Sequence, residues 1–513
     1  MPLRAALILG LFLFTVSRAA SKVPEPWHDP NARAMLEHSL RFAEPLWDEK
    51  AGFLWAATRS SWAYSSAAPE RRHSVRESAW YMLALFMRHQ PGDDERAVRI
   101  LASVLDEQVI APGEPWDGTF YRNPEEAHPP TGASRWDDYD PNWRQFIGTT
   151  LALCLIHFED RLPAGMSARI EKALAAAIEG ERAEHRLAPN YTNIALMHAF
   201  LWAYTGERLQ RPEWVQQADA WAEEIHAGFV RYGTFEEYNS PTYYGVDLFG
   251  LALWRRHGST ARLRTLGAAM EAGLWREIAA FYHPGLRNLA GPYDRAYGMD
   301  LMRYASLLGP WIGLAVPADR IPLPVPDNRM GQAHDYLGIP LIVILGTEIP
   351  TDVRTRLLAF AGEQQVTRQI TPWRTATAWL GENLMLGGEH TSRQRAAGTP
   401  HNQFHPATIH WRLPGGDAGW VLLQKASRLN ARASSNLLVI EAIGNATFRI
   451  FAPGATPDAL QRNRWNLPGL AVQVDTDARE FTVRADGDFL EVTYVEATRF
   501  ALNTTYKPAP ASQ

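Results

Sequence analysis

The chain has 513 residues, 46% of them hydrophobic and 21% charged, which fits a soluble globular protein with material for more than one domain. A net charge of −5 leaves no broad basic surface and argues against nucleic acid as the partner. Cys154 is the only cysteine, so an intrachain disulfide is excluded.

At the start, MPLRAALILGLFLFTVSRAASK places a basic residue before a short apolar stretch that ends in small residues near Ala19 and Ala20. This pattern predicts a signal peptide over residues 1–20 and a secreted mature protein, extracellular or periplasmic. The stretch is too short for a membrane span and no other segment is apolar enough, so no membrane is expected for the mature form. Sequons at Asn190, Asn445 and Asn503 matter only in a host that glycosylates.

The next part, residues 21–369, reads as helical. Apolar residues recur at three- and four-residue spacing in 74–89, 212–233 and 261–282, which predicts amphipathic helices. Ser74 and Glu77 match a capping box for the first of these. A proline-rich stretch, 314–328, interrupts the pattern, and LGIPLIVILG and DVRTRLLAFAG resume it. From about residue 370 to 513 the pattern becomes short runs rich in Val, Thr and aromatic residues, separated by Gly, Pro, Asp and Asn turns. That predicts an antiparallel β-sandwich. The fold class is therefore mainly α with a C-terminal all-β domain.

Four helices share one kind of entrance. Asp140, Thr192, Ser240 and Asp294 stand as caps, about fifty residues apart, with one more amphipathic helix between each pair. Such an array of helical hairpins gathers the first helices' N-termini on one side. Closed into an (α/α) toroid, it places those entrances around one cleft. Capping accounts for Asp140, Ser240 and Asp294. It does not account for the tyrosines, asparagines and arginines beside them, which are expected to form one site.

Two loops add candidates. Residues 116–143 form a long loop, of the kind that often binds ligands. Its Trp116, Phe120, Tyr121, Trp136 and Trp143 either stack on sugar rings or pack into the rim. Residues 388–411 carry four histidines. This loop is expected to reach over the cleft and bring His401, Asn402, Gln403 or His405, and no tight ligand spacing supports a metal there.

The architecture, together with NYTN (190–193), EEYNSPTYYG (236–245) and GPYDRAYG (291–298), resembles the toroid-type polysaccharide lyases. The likeness is greatest to glucuronan and alginate lyases and their heparinase-like and chondroitinase-like relatives. The resemblance implies an acidic polysaccharide substrate. It places the uronate neutraliser at Asn193, helped by Glu237 and Arg295, and the proton-handling tyrosine at Tyr297. Several such lyases use a histidine base; here Tyr243 and Tyr244 stand at that place, and His198, His283, His401 and His405 are the histidine alternatives. Tyr244, Asn239, Asn142, Trp143, Trp136, His401, Gln403 and His405 are expected to bind substrate. The sequence implies no cofactor, leaves a divalent cation open, and does not speak to oligomeric state.

The chemistry suits these residues. β-Elimination removes the proton α to a carboxylate, which requires a donor to stabilise the developing enolate. A base must lie within hydrogen-bond reach, and an acid must protonate the leaving oxygen. Tyrosine serves as base only where a cation lowers its pKa; Arg295 stands two residues from Tyr297, which makes Tyr297 the expected acid and a candidate base, with Tyr243 as the alternative. Rival readings are a glycoside hydrolase pairing Asp137, Asp138 or Asp140 with Glu236 or Glu237, a uronyl C5-epimerase, and a carbohydrate-binding protein without catalysis.

Overall fold

The computed structural model describes residues 25–57, 72–326, 330–392 and 403–508. The expected signal segment, His401 and Asn402 lie outside the described residues. The helical part runs α1 (Pro30–Ala43), α2 (Val75–Arg88), α3 (Asp93–Asp106), α4 (Trp143–Phe158), α5 (Met166–Glu184), α6 (Thr192–Arg208), α7 (Pro212–Tyr232), α8 (Tyr243–His257), α9 (Ala261–Phe281), α10 (Leu308–Gly313), α11 (Ile339–Leu345) and α12 (Thr351–Leu358). Two small antiparallel sheets lie among them: β1 (Trp47–Asp48), β2 (Phe53–Trp55) and β3 (His73–Ser74), then β4 (Tyr282–His283) and β5 (Asn288–Leu289).

Burial divides the helices into two rings. α7 buries Trp214, Ala218, Ala222, Ile225 and Phe229, one stripe on one face, as an outer helix should. α4, α6 and α8 are buried on nearly every side, which is the pattern of inner helices. α2 touches α4, α4 touches α6, α6 touches α8, and α11 touches both α8 and α2, so the inner ring closes. Close crossings hold it. Gly250 lets α8 approach so near that a Cβ there would lie 2.6 Å from Leu196 Cβ. Beside it, the Trp254 indole donates to the Leu196 carbonyl at 2.7 Å.

Two local expectations fail. The Ser74 hydroxyl makes no cap bond; Glu77 takes the Arg76 guanidinium instead. The fourth long inner helix, expected from Asp294, does not form, and only Leu308–Gly313 is helical. Pro292 lacks an N–H, and the neighbouring N–H groups find partners outside the segment. Tyr293 donates to the His405 carbonyl at 3.0 Å, Asp294 to that of Tyr238 at 2.9 Å, and Ala296 to that of Gln403 at 2.8 Å. Tertiary hydrogen bonds replace the i−4 ladder.

The C-terminal part is one antiparallel sheet: β6 (Gln364–Thr371), β7 (Arg374–Leu380), β8 (Leu384–His390), β9 (Ala407–Arg412), β10 (Ala418–Ser434), β11 (Leu437–Phe451), β12 (Leu460–Gln461), β13 (Arg464–Leu467), β14 (Leu470–Thr476), β15 (Glu480–Asp486), β16 (Phe489–Val495) and β17 (Arg499–Tyr506). The long β10–β11 hairpin joins the two halves. β11 pairs with β17 through its first residues and with β16 through its last. Trp379, Leu386 and Trp411 from one half share a core with Trp465, Val472 and Leu502 from the other, so the sheet folds over on itself into a near-barrel sandwich. Ala376, Ala378, Met385, Trp420 and Phe451 belong instead to the core of the toroid, and they seal the two parts together.

The tightest point of that seal is Gly387, where a Cβ would lie 2.1 Å from the Gly291 carbonyl carbon. Gly387→Ala is expected to destabilise the protein by about 1–3 kcal/mol, as overpacking does. The check is a urea titration, in which the midpoint should fall.

Candidate active site

The site is built where α6 and α8 begin and where the 290–297 segment passes them. At α8, the Ser240 hydroxyl accepts the Tyr243 N–H at 3.0 Å and donates to the Arg295 carbonyl at 3.0 Å. The helix entrance and the segment are thereby fixed to each other. Arg295 adopts φ +57°, a left-handed conformation uncommon outside glycine, and its side chain turns back over α8.

One chain of contacts joins all five residues expected to be catalytic. The Arg295 guanidinium pairs with the Glu237 carboxylate and donates to the Tyr243 hydroxyl at 2.7 Å. Its carbon lies 4.0 Å from the centre of the Tyr243 ring, a cation–π contact. The Tyr243 and Tyr297 hydroxyls are 2.8 Å apart. On the other side, Glu237 accepts from the Asn193 amide, the Asn193 N–H at 3.2 Å and the Thr192 hydroxyl at 3.1 Å.

Exposure separates the roles. Tyr243, Arg295 and Tyr297 are half-buried, with 28% of the Arg295 side chain exposed. Glu237 and Asn193 are buried. Asn193 therefore turns its amide into the protein, to Glu237, and the groups that meet solvent are one cation and two phenols. Burial, foremost, pushes both phenols above their ordinary range, more so for Tyr243, and Arg295 opposes it. Burial disfavours the Arg295 charge, but Tyr243, Glu237, Tyr191 and Tyr297 together hold its pKa above the ordinary value. Asp247, one helical turn into α8, is fully buried, and burial followed by the negative Glu237 keeps its carboxyl well above the carboxylate range.

The residues expected to bind substrate divide. Asn142 donates to the Tyr191 hydroxyl at 2.9 Å, and the Tyr191 ring lies 5.7 Å from the Arg295 guanidinium, so both belong to the cluster. Trp143 is buried, with the Arg76 guanidinium 5.2 Å from its ring centre. Trp136 is exposed on the long loop. Trp116 and Tyr139 form a small core with Val109, and Phe120 joins the core of the toroid. Tyr244, expected to bind substrate, does not reach the cleft surface. It is fully buried, with its hydroxyl 2.8 Å from that of Thr234, because its neighbour Tyr243 takes the cleft side of α8. Asn239 is also structural. It is fully buried at φ +46°, with its amide on the Ala290 and Pro292 carbonyls at 2.7 and 2.9 Å.

Two of the histidine alternatives, His198 and His283, are buried in other surroundings. His198 is buried beside Trp202 and Trp221, and burial lowers it to about 4. His283 lies 3.1 Å from the Gly381 carbonyl, and its other ring nitrogen accepts the Leu286 N–H; burial lowers it to about 4. Gln403 and His405 do reach the site segment, through backbone bonds to Ala296 and Tyr293.

Arg76 was not among the expected residues. It is wedged between Trp80, Trp143 and Phe146, at 4.7, 5.2 and 5.1 Å. The signal was the same helix-entrance pattern at α2, hidden because the long 107–142 connection breaks the repeat.

Residues 33–347 match the family described as a domain of unknown function, DUF8769. The chain belongs to the DUF8769 family. Residues 363–497 of this DUF8769 member match a second domain of unknown function, DUF8770. No curated protein matches the sequence. Among solved structures, heparinase III is similar at 9% identity and TM-score 0.45, over 94% of this chain and 85% of that one. The chondroitin AC lyase of Streptomyces coelicolor A3 is similar at 12% identity and TM-score 0.46, over 95% and 81%. The endoglucanase CelQ of Clostridium thermocellum is similar at 9% identity and TM-score 0.26, over 94% and 93%.

The burial difference between the two adjacent tyrosines has a direct check. Tyr244→Phe removes one buried hydrogen bond and is expected to cost about 1 kcal/mol in stability while leaving the site intact. Tyr243→Phe is expected to change stability less and to remove the site's function. Denaturant titration and activity, measured on both variants, distinguish them.

Proposed function

We propose that the protein is a secreted polysaccharide lyase that cleaves a uronic-acid-containing polymer, glucuronan-like, by β-elimination. The observation that carries this reading is the Arg295 bridge from Glu237 to the Tyr243 hydroxyl, with Tyr297 2.8 Å beyond it. A cation beside two phenols in a half-exposed cleft suits an acidic sugar. Arg295, rather than Asn193, is the group that meets the uronate carboxylate and stabilises charge on it as the enolate develops. Glu237 and Asn193 hold Arg295 in place.

In the reaction, Tyr243 as phenolate takes the proton at C5. Electrons move to form the C4–C5 double bond, and the C4–O bond breaks. The leaving oxygen takes a proton from Tyr297, whose hydroxyl is already paired with that of Tyr243. No protein-bound cofactor enters this scheme. The hydrolase reading is less well supported. Glu237 is committed to Arg295 and Asn193, and Glu236 is exposed with Asn190 3.4 Å from it.

Incubation with a panel of uronate polymers is expected to raise ultraviolet absorbance from unsaturated ends. Tyr243→Phe and Arg295→Ala are each expected to lower that rate by roughly 10²-fold or more. New reducing ends without the absorbance would replace the lyase by a hydrolase.

The pH profile tests the base. Both phenols are raised by burial, and the reactive form of Tyr243 is the deprotonated one. kcat/KM is therefore expected to climb with pH through the neutral range and into the alkaline. A plateau reached by pH ~7 would point to a histidine base instead.

A further inference from the structure

Arg374, at the start of β7, reaches out of the sheet to the two segments that carry the site. Its Nη2 donates to the Asp294 carboxylate at 3.1 Å and its Nη1 to the Glu236 carbonyl at 3.3 Å. Its Nε donates to Glu389 on β8 at 2.8 Å. Asp294 immediately precedes Arg295, and Glu236 immediately precedes Glu237. One planar guanidinium thus fixes the spacing of two backbones at the residues just before the ion pair.

We infer that Arg374 is a positioning residue, by which the β-domain sets the geometry of the Arg295–Glu237–Tyr243 cluster; this rests on the reading of that cluster as the working centre. A plain join between the domains does not need it. The apolar seal of Trp420, Phe451 and Met385 already supplies one, and a buried charged tie is a poor source of stability compared with apolar packing. What a guanidinium adds is direction. Its fork holds several acceptors at set angles, and the carboxylates of Asp294 and Glu389 around it are buried. Glu389 anchors the fork to the sheet, so the two site segments are registered against a rigid element and not only against each other.

The test places 3-fluorotyrosine at position 243 and reads its 19F resonance in the full-length protein, without substrate. Arg374→Met is expected to move the resonance in the same direction as Arg295→Ala does. Arg374→Lys keeps the charge but not the fork and should move it less, and it serves if the methionine variant does not fold. Ile170→Val, a buried change in α5, is the stability control and should leave the resonance in place. A resonance unmoved in both Arg374 variants overturns the inference, whatever the enzyme's activity proves to be.

On a polymer that the wild type cleaves, Arg374→Met is expected to lower kcat by roughly 10²-fold, as small misplacements do, with KM changed little. Combined with Arg295→Ala it should cost no further rate, because both act through the same guanidinium. Independent, multiplying losses would make Arg374 merely structural. Absence of cleavage on every polymer would count against the lyase and leave the 19F result to decide the role of Arg374.

Discussion

A guanidinium held half out of water needs an anion, and the anion needs donors of its own. Arg295 takes Glu237. Glu237 is buried and draws its donors from the first turn of α6, where the N–H groups of a helix have no partners within it. The Asn193 N–H and amide and the Thr192 hydroxyl supply them. The positive end of the helix dipole favours a carboxylate at the same place. One ion pair therefore holds together an α6 entrance, the segment before α8 and the segment at 290–297. Tyr243 and Tyr297 follow, since Arg295 also fixes where the Tyr243 hydroxyl points.

The β-domain contributes backbone acceptors to the site. A 290–297 segment that is not helical must satisfy its N–H groups elsewhere, and the 403–405 stretch accepts two of them. The same stretch was expected to bring histidines over the cleft. Its backbone is what holds the 290–297 segment. Separating the domains would leave the Arg295 segment without these partners, so toroid and sheet form one working unit.

Much of the site was legible because helix entrances are written in local sequence. Asn193, Glu237, Tyr243, Arg295 and Tyr297 stand in short motifs at a regular interval, and a closed ring brings them together. The errors have a common cause. Tyr244 and Asn239 sit in the same motifs, and no local rule tells which of two adjacent tyrosines faces the cleft and which faces α9. Asp294 resembles a helix cap, but its carboxylate meets Arg374 from a strand far along the chain.

The helical hairpins, the later strands and the crowding of polar residues at helix starts are all written in local sequence. Each of these depends on spacing along the chain: the helical period, the two-residue alternation of strands, and capping within a turn. Which polar groups meet solvent, which support them, and the loss of helix at the fourth entrance follow from long-range packing. Those outcomes depend on partners from distant segments, on the ring closing through α11 and on the sheet reaching back with Arg374, and such pairings leave no mark in local spacing.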